Sequence, residues 1–245
     1  YLFFDFSYPG DDGKGHADWD SEGLVRLVRE LQPQVLINDR LDLLDTDWGW
    51  DVKTPEQFMV RDWVRVNGQR VLWETCQTFS GSWGYHRDES TWKSVGQLTR
   101  MLIDTVSKGG NLLLNVGPTA RGEFDARALD RLQGMGEWMR RHGRSVYGCT
   151  QAPEGYTTPQ DCRLTYNPET NRLYVHVFAW PIRHLHLDGL AGKVAYAQLL
   201  NDASEVKMVP PRPSHHEAVP EDVLTLELPV VQPDVTVPVI ELYLR

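Results

Sequence analysis

The sequence predicts an α/β protein: a partial, half TIM-type barrel over residues 1–150, followed by an all-β sandwich over residues 151–245. Three observations carry that expectation. Short apolar runs, Tyr1-Leu2-Phe3-Phe4, Val35-Leu36-Ile37, Val71-Leu72-Trp73 and Leu112-Leu113-Leu114, have the form of parallel strands buried on both faces. Segments with helical period stand between several of them. After Gly148 that period stops, and short alternating runs bounded by turn residues replace it.

The first strand runs into a single carboxylate, Asp5, and Pro9-Gly10 then end it. Leu24, Leu27, Val28 and Leu31 lie at i, i+3, i+4 and i+7, which predicts a helix over 18–31, capped by Asp20 or Ser21 and stopped by Pro33. Val35–Ile37 follows and ends in Asn38-Asp39-Arg40, completing a βαβ unit. Residues 41–70 read as one long irregular loop rich in Asp and Trp, of the kind that carries function. Val71–Trp73 ends in Glu74-Thr75. A second loop, 79–89, holds Ser82-Trp83-Gly84-Tyr85. A helix capped by Ser90 runs to Lys108, with Gly109 turning the chain into the fourth strand. A third helix spans 124–142, with Leu129, Leu132, Met135 and Met139 facing inward. The β-rich remainder offers strands at 163–166, 172–179, 195–200, 224–228 and 239–244. Four strands are too few to close an eight-stranded barrel, hence the half-barrel.

Over 245 residues the formal net charge is −9, which argues against nucleic acid and against anionic membrane surfaces as partners. No apolar run is long enough to span a bilayer. Three cysteines, Cys76, Cys149 and Cys162, fit no zinc spacing and read as free thiols. His184, His186, His215 and His216 lack the carboxylate or cysteine spacing of a metal site.

The candidate chemistry rests on carboxylates at strand ends and in the functional loop. In α/β barrels catalytic groups gather at the C-terminal ends of the strands, where Asp5 stands. Glu56, in Lys53-Thr54-Pro55-Glu56, is a second candidate; a carboxylate pair is what glycoside hydrolysis requires. Asp39, Asp47, Asp51 and Glu74 remain alternatives. Taken alone, Asp39 and Glu74 read as solvated charges or loop caps.

Six blocks in order, Phe3-Phe4-Asp5, Asn38-Asp39-Arg40, Lys53-Thr54-Pro55-Glu56, Trp73-Glu74-Thr75-Cys76, Ser82-Trp83-Gly84-Tyr85 and Ser107–Pro118 (SKGGNLLLNVGP), resemble the α-L-fucosidases of glycoside hydrolase family 29. The resemblance covers roughly residues 1–150 strongly and the remainder by position. It implies a retaining exo-α-L-fucosidase acting on fucosylated oligosaccharides or glycoconjugates by double displacement. Asp5 would be the nucleophile and Glu56 the acid/base; Phe3, Arg40 and Trp83 would bind substrate, with no metal or cofactor. The family's catalytic domain begins well before the residue corresponding to Tyr1. The chain is therefore expected to be a fragment, a natural half-barrel or one part of an assembly. Two alternatives stand beside the enzyme: an incomplete, non-catalytic carbohydrate-binding chain, and an enzyme active only as an oligomer. An open half-barrel exposes apolar strand faces, so self-association into a homo-oligomer is expected.

Overall fold

The first helix begins where Asp20 accepts a hydrogen bond from the Gly23 amide, and it runs from Ser21 to Leu31 (α1) in the computed structural model, which describes residues 1–5, 14–210 and 219–245. The expected turn at Pro9-Gly10 and the residues His215 and His216 lie outside the described residues. The other elements are β1 (Val52–Lys53), β2 (Arg65–Val66), β3 (Gln69–Arg70), β4 (Leu72–Thr78), α2 (Val95–Val106), β5 (Asn111–Asn115) and α3 (Ala126–His142). They are followed by β6 (Thr150–Gln151), β7 (Cys162–Asn167), β8 (Arg172–Val177), β9 (His184–Leu187), β10 (Val194–Leu199), β11 (Lys207–Val209), β12 (Leu224–Glu227) and β13 (Val239–Leu244). This is a mixed α/β protein. It packs as two units: residues 1–77 with 110–114, and residues 78–109 with 115–245.

The first unit is a succession of parallel segments. Leu2 bridges Ile37, Asn38 bridges Val52, β1 pairs with β4, and β4 neighbours β5. The segment beginning at Val52 was expected to be loop. It is instead a strand edge wedged between the Ile37 and β4 segments, and it continues as far as Glu56, which bridges Cys76. Residues 65–70 are likewise a hairpin, closed by Asn67 and Gly68 with φ of 50° and 78°, the pair of positive angles a two-residue turn of this kind demands.

Packing also departs from the sequence reading. Val25, not Leu27 or Leu31, is the buried apolar residue of α1; it joins Ile37, Leu41 and Leu43 in a small core, with Leu24 and Val28 against it. The apolar runs are not buried on both faces: Leu2, Phe3, Leu36, Leu72 and Leu113 are exposed, while Ile37 and Trp73 are buried. Gly110 is obligatory for steric reasons, because any Cβ there would overlap the buried Trp73 indole.

In the second unit, the capping box of Ser94 and Gln97 starts α2 four residues later than Ser90. Gly109 has φ 75° and turns the chain after the helix. On α3 the buried residues are Ala128, Trp138 and His142, whereas Leu129 and Leu132 are exposed. Contact with α2 runs through Gly134 and Val95, too close for a Cβ at position 134. An antiparallel sheet in the order β10-β13-β8-β7-β6 and a three-stranded sheet β11-β12-β9 contribute to one apolar cluster that includes Leu164, Val175, Ile240, Leu187 and Leu226. A second cluster joins Ile103, Val106 and Trp138 of the helices to Tyr174 and Val239 of the five-stranded sheet.

Two buried histidines lie beside that helical cluster. His142 stacks on Trp138, with centroids 5.0 Å apart, and Trp138 is 6.3 Å from His176. Burial and the neighbouring His142 push the His176 imidazole down to about 3, and burial lowers His142 as well. Folded His176 therefore stays neutral over a range in which the unfolded chain, below about 6.5, carries the proton; His142 is shifted in the same direction. Between about 3 and 6.5 the unfolded chain binds the proton that folded His176 does not, so stability rises with pH by about 1.4 kcal/mol per pH unit from this histidine, and His142 adds in the same direction. Melting temperature should fall on acidification from pH 6.5 to 4, and H176Q should flatten that dependence even if its melting point is lower throughout. An unchanged slope in the variant would contradict the assignment.

Candidate active site

The site of the first unit is built around Arg40. Asn38, fully buried, fixes the segment carrying Asp5: Phe4 donates its amide to Asn38 Oδ1 (2.9 Å), and Asn38 Nδ2 donates to the Phe4 carbonyl (2.8 Å). The same strand end carries Asp39 and Arg40. Glu56 is positioned by parallel pairing with β4, where Gln57 donates to the Cys76 carbonyl (2.9 Å) and Cys76 to the Pro55 carbonyl (3.3 Å). Three segments distant in sequence thus deliver Asp5, Arg40 and Glu56 to one place.

Arg40 Nη1 donates to Glu56 Oε2 at 2.8 Å and to Asp5 Oδ1 at 3.3 Å. The rest of the guanidinium is tied down from behind. Nε donates to Thr54 Oγ1 and Nη2 to the Thr54 carbonyl, both at 3.1 Å, and Nη2 lies 3.6 Å from Cys76 Sγ. Thr54 in turn donates its hydroxyl (2.5 Å) and amide (3.0 Å) to Asp39 Oδ1, and Lys53 Nζ sits 3.5 Å from Asp39 Oδ2. Burial would lower the Arg40 pKa, but the bond to Glu56 and the charges of Cys76 and Asp5 leave it raised. Burial pushes the Cys76 thiol up against the opposing pull of Arg40. The Asp5 and Glu56 side chains remain about half exposed (53% and 43%).

Of the sequence-derived site residues, Asp5, Arg40, Glu56 and Phe3 come together: the Arg40 guanidinium carbon is 5.7 Å from the Phe3 ring centroid. Trp83 belongs to the second unit. Its carbonyl accepts from Asn115 Nδ2 (2.6 Å), and the next peptide, Gly84–Tyr85, lies where a Cβ on Gly117 would be 2.6 Å away. The Ser82–Tyr85 loop is braced by Glu89, which accepts from Ser82 Oγ and from Thr91; these bonds, the Thr91 hydroxyl first, hold its carboxyl down at about 2.

Two carboxylates expected to be solvated are not. Asp39 is only 15% exposed and holds Thr54; Glu74 is 9% exposed and accepts from the Tyr1 hydroxyl at 2.7 Å, which together with burial raises the phenol's pKa. Asp51 is structural as well, accepting from Arg29 (2.6 Å) and from the Ile37 amide (2.8 Å). The parts missed by sequence reasoning were Asn38, Asp39, Thr54 and Cys76 as supports. Their only signal was adjacency to Arg40, Glu56 or Glu74 within short motifs. All three cysteines are free thiols.

A family model described as alpha-L-fucosidase matches residues 1–144. The chain belongs to the α-L-fucosidase family. Human plasma alpha-L-fucosidase is 31% identical over 182 residues, covering 70% of this chain and 38% of the relative; the rat plasma enzyme is 32% identical over 211 residues, covering 81% and 42%. Among solved structures, alpha-L-fucosidase isoenzyme 1 from Paenibacillus thiaminolyticus superposes with a TM-score of 0.87 at 38% identity, over all of this chain and 57% of that one. Thermotoga maritima alpha-fucosidase, in complex with a mechanism-based inhibitor, gives 0.71 at 26% identity, over 98% of this chain and 51% of that one. This fucosidase-family chain thus spans about two-fifths of the curated relatives and just over half of the solved ones.

Proposed function

We propose that this chain carries the catalytic pair of a retaining exo-α-L-fucosidase. The observation that carries the reading is the Arg40 bridge. Contacts of 2.8 and 3.3 Å to one nitrogen limit the two carboxylate oxygens to at most about 6.1 Å apart. Retaining glycosidases place their carboxyls about 5–5.5 Å apart and inverting ones about 6.5–9.5 Å. Asp5 attacks the anomeric carbon as Glu56 protonates the departing glycosidic oxygen, giving a fucosyl ester on Asp5. Glu56 then takes a proton from water, and that water displaces Asp5, so fucose leaves with its starting configuration. Phe3 supplies apolar surface beside the pair, and Arg40 orients both carboxylates; Trp83 is assigned to substrate binding on the family resemblance alone. The substrate is a fucosylated oligosaccharide or glycoconjugate, and the two-carboxylate scheme needs no metal or cofactor.

The fold reading extends in the same direction. The parallel segments form an arc of an α/β barrel within residues 1–150, and the antiparallel sheets a β-sandwich within 151–245. The exposed Leu2, Leu36, Leu72 and Leu113 lie on strand segments of the first unit, and a second copy of the chain covers them. Light scattering at micromolar concentration is expected to give a dimer or larger species; a monomer refutes self-association.

Replacing the pair tests the chemistry. Asp5→Gly should lose turnover by several orders of magnitude on an aryl α-L-fucoside and, with added azide, give the β-fucosyl azide. Glu56→Ala should be impaired far more on substrates with poor leaving groups than on activated aryl fucosides, because only the former need a proton from the enzyme. Glu74→Gln should show no such discrimination. Leaving-group dependence in the Glu74 variant, with none in the Glu56 variant, would overturn the assignment.

A further inference from the structure

Just beyond the end of α3, on one face of the five-stranded sheet, lies a pocket of about 520 Å³ that the fucosidase chemistry does not use. Its floor comes from two neighbouring strands. Arg172 is opposite Tyr243 and Tyr174 opposite Glu241 in the β8–β13 register, and strand alternation puts all four on one face. Arg144 and Tyr147, from the turn after α3, and Asn167, at the end of β7, form the wall.

Glu241 is the first unusual feature. Its residue is 3% exposed and stands between the buried hydrophobics Ile240 and Leu242. Burying a carboxylate is unfavourable unless donors replace its water. Here Arg144 Nη2 (2.6 Å), Gln198 Nε2 (2.7 Å) and the Tyr174 hydroxyl (3.2 Å) do so. Two carboxylate oxygens offer about four acceptor positions, so one remains for an incoming hydroxyl.

Both cations of the pocket are already engaged. Arg144 pairs with Glu241, and Arg172 lies 3.7 Å from the Tyr243 ring centroid and donates to the Thr170 carbonyl. Arg144 thus has its counter-charge in place, and Arg172 is held against an aromatic ring. The Asn167 oxygen accepts from the Glu169 and Thr170 amides (3.0 and 3.1 Å), which turns its amide nitrogen into the group left to donate. Tyr147 is 72% exposed, its ring edge 3.4 Å from where a Cβ on Gly143 would sit. It offers a broad aromatic face held by backbone behind it.

An aromatic face beside a carboxylate acceptor and an amide donor, with one cation paired to Glu241 and the other laid on the Tyr243 ring, complements a ring that has an apolar C–H face and flanking hydroxyls. We propose that this pocket of the second unit binds one residue of a neutral oligosaccharide, separately from the Asp5–Glu56 site of the first unit. Such a second contact raises the local concentration of glycan chains at the protein.

The test uses the full chain carrying E56Q, so that no glycan is consumed, and lacto-N-tetraose, a neutral tetrasaccharide without fucose. Saturation-transfer NMR should show transfer to the probe's ring protons. Y147A and N167A should each reduce it at least fivefold, Y147F should retain it, and none should change the circular dichroism spectrum. Y147A alone should leave the hydrolysis of a small aryl fucoside unchanged. No transfer in the parent, equal transfer in Y147A and N167A, or transfer only to a sulfated analogue would each refute the neutral-sugar site. Because the probe carries no fucose and Glu56 is replaced, none of these outcomes bears on whether the chain is a fucosidase.

Discussion

A single guanidinium fixes the distance between two carboxylates, and much of the first unit can be understood as the means of holding it there. Arg40 faces Asp5 and Glu56 with one nitrogen, while its other two contact Thr54 and Cys76. Left alone, two neighbouring carboxylates repel each other and a long arginine side chain samples many rotamers. Asp39 removes that freedom at second hand: by fixing Thr54 it fixes the acceptors of the guanidinium fork. The planar fork suits this task, since a lysine could not hold Thr54 and bridge two acids with a fixed orientation.

The parallel segments explain why these groups meet. Asp5 follows the segment bridged to Ile37, Arg40 follows Asn38, and Glu56 ends the segment that runs beside β4 from Leu72 to Cys76. Adjacent parallel segments bring their C-terminal ends to one edge, so residues 35 and 51 positions apart in sequence from Asp5 become neighbours. In the second unit, the Ser82–Tyr85 loop is held to Gly117 by close backbone approach and by Asn115. This accounts for two motifs that looked independent in the sequence.

Much of this was legible in the residues. Asp5 at the end of an apolar run and Glu56 in the loop after Thr54-Pro55 stand out as candidate carboxylates by local pattern, with Asp39, Asp47, Asp51 and Glu74 still open beside them, whereas Arg40 is marked only by the resemblance to the α-L-fucosidases. The helices were legible in existence but not in facing. The period of α1 also fits Leu27 and Leu31, and only the tertiary core selects Val25. A two-residue strand such as Val52–Lys53 has no period to detect; its partner 20 residues away defines it. The Asn67-Gly68 hairpin is written in the turn residues, but it sits inside an Asp- and Trp-rich stretch that otherwise reads as loop. The support given by Asp39 was invisible for another reason. Whether a carboxylate is solvated or buried depends on what packs over it, here Thr54, fifteen residues on.

In the proposed chemistry Asp5 takes the sugar while Arg40 holds it beside Glu56. The direct measurement is to incubate the protein with a 2-deoxy-2-fluoro-α-L-fucosyl donor bearing a good leaving group, then map the modified peptide by mass spectrometry. A stoichiometric fluorofucosyl ester on Asp5, lost in Asp5→Asn, is the predicted result. A label on Glu56, Glu74 or Asp39, with Asp5 unmodified, would contradict it.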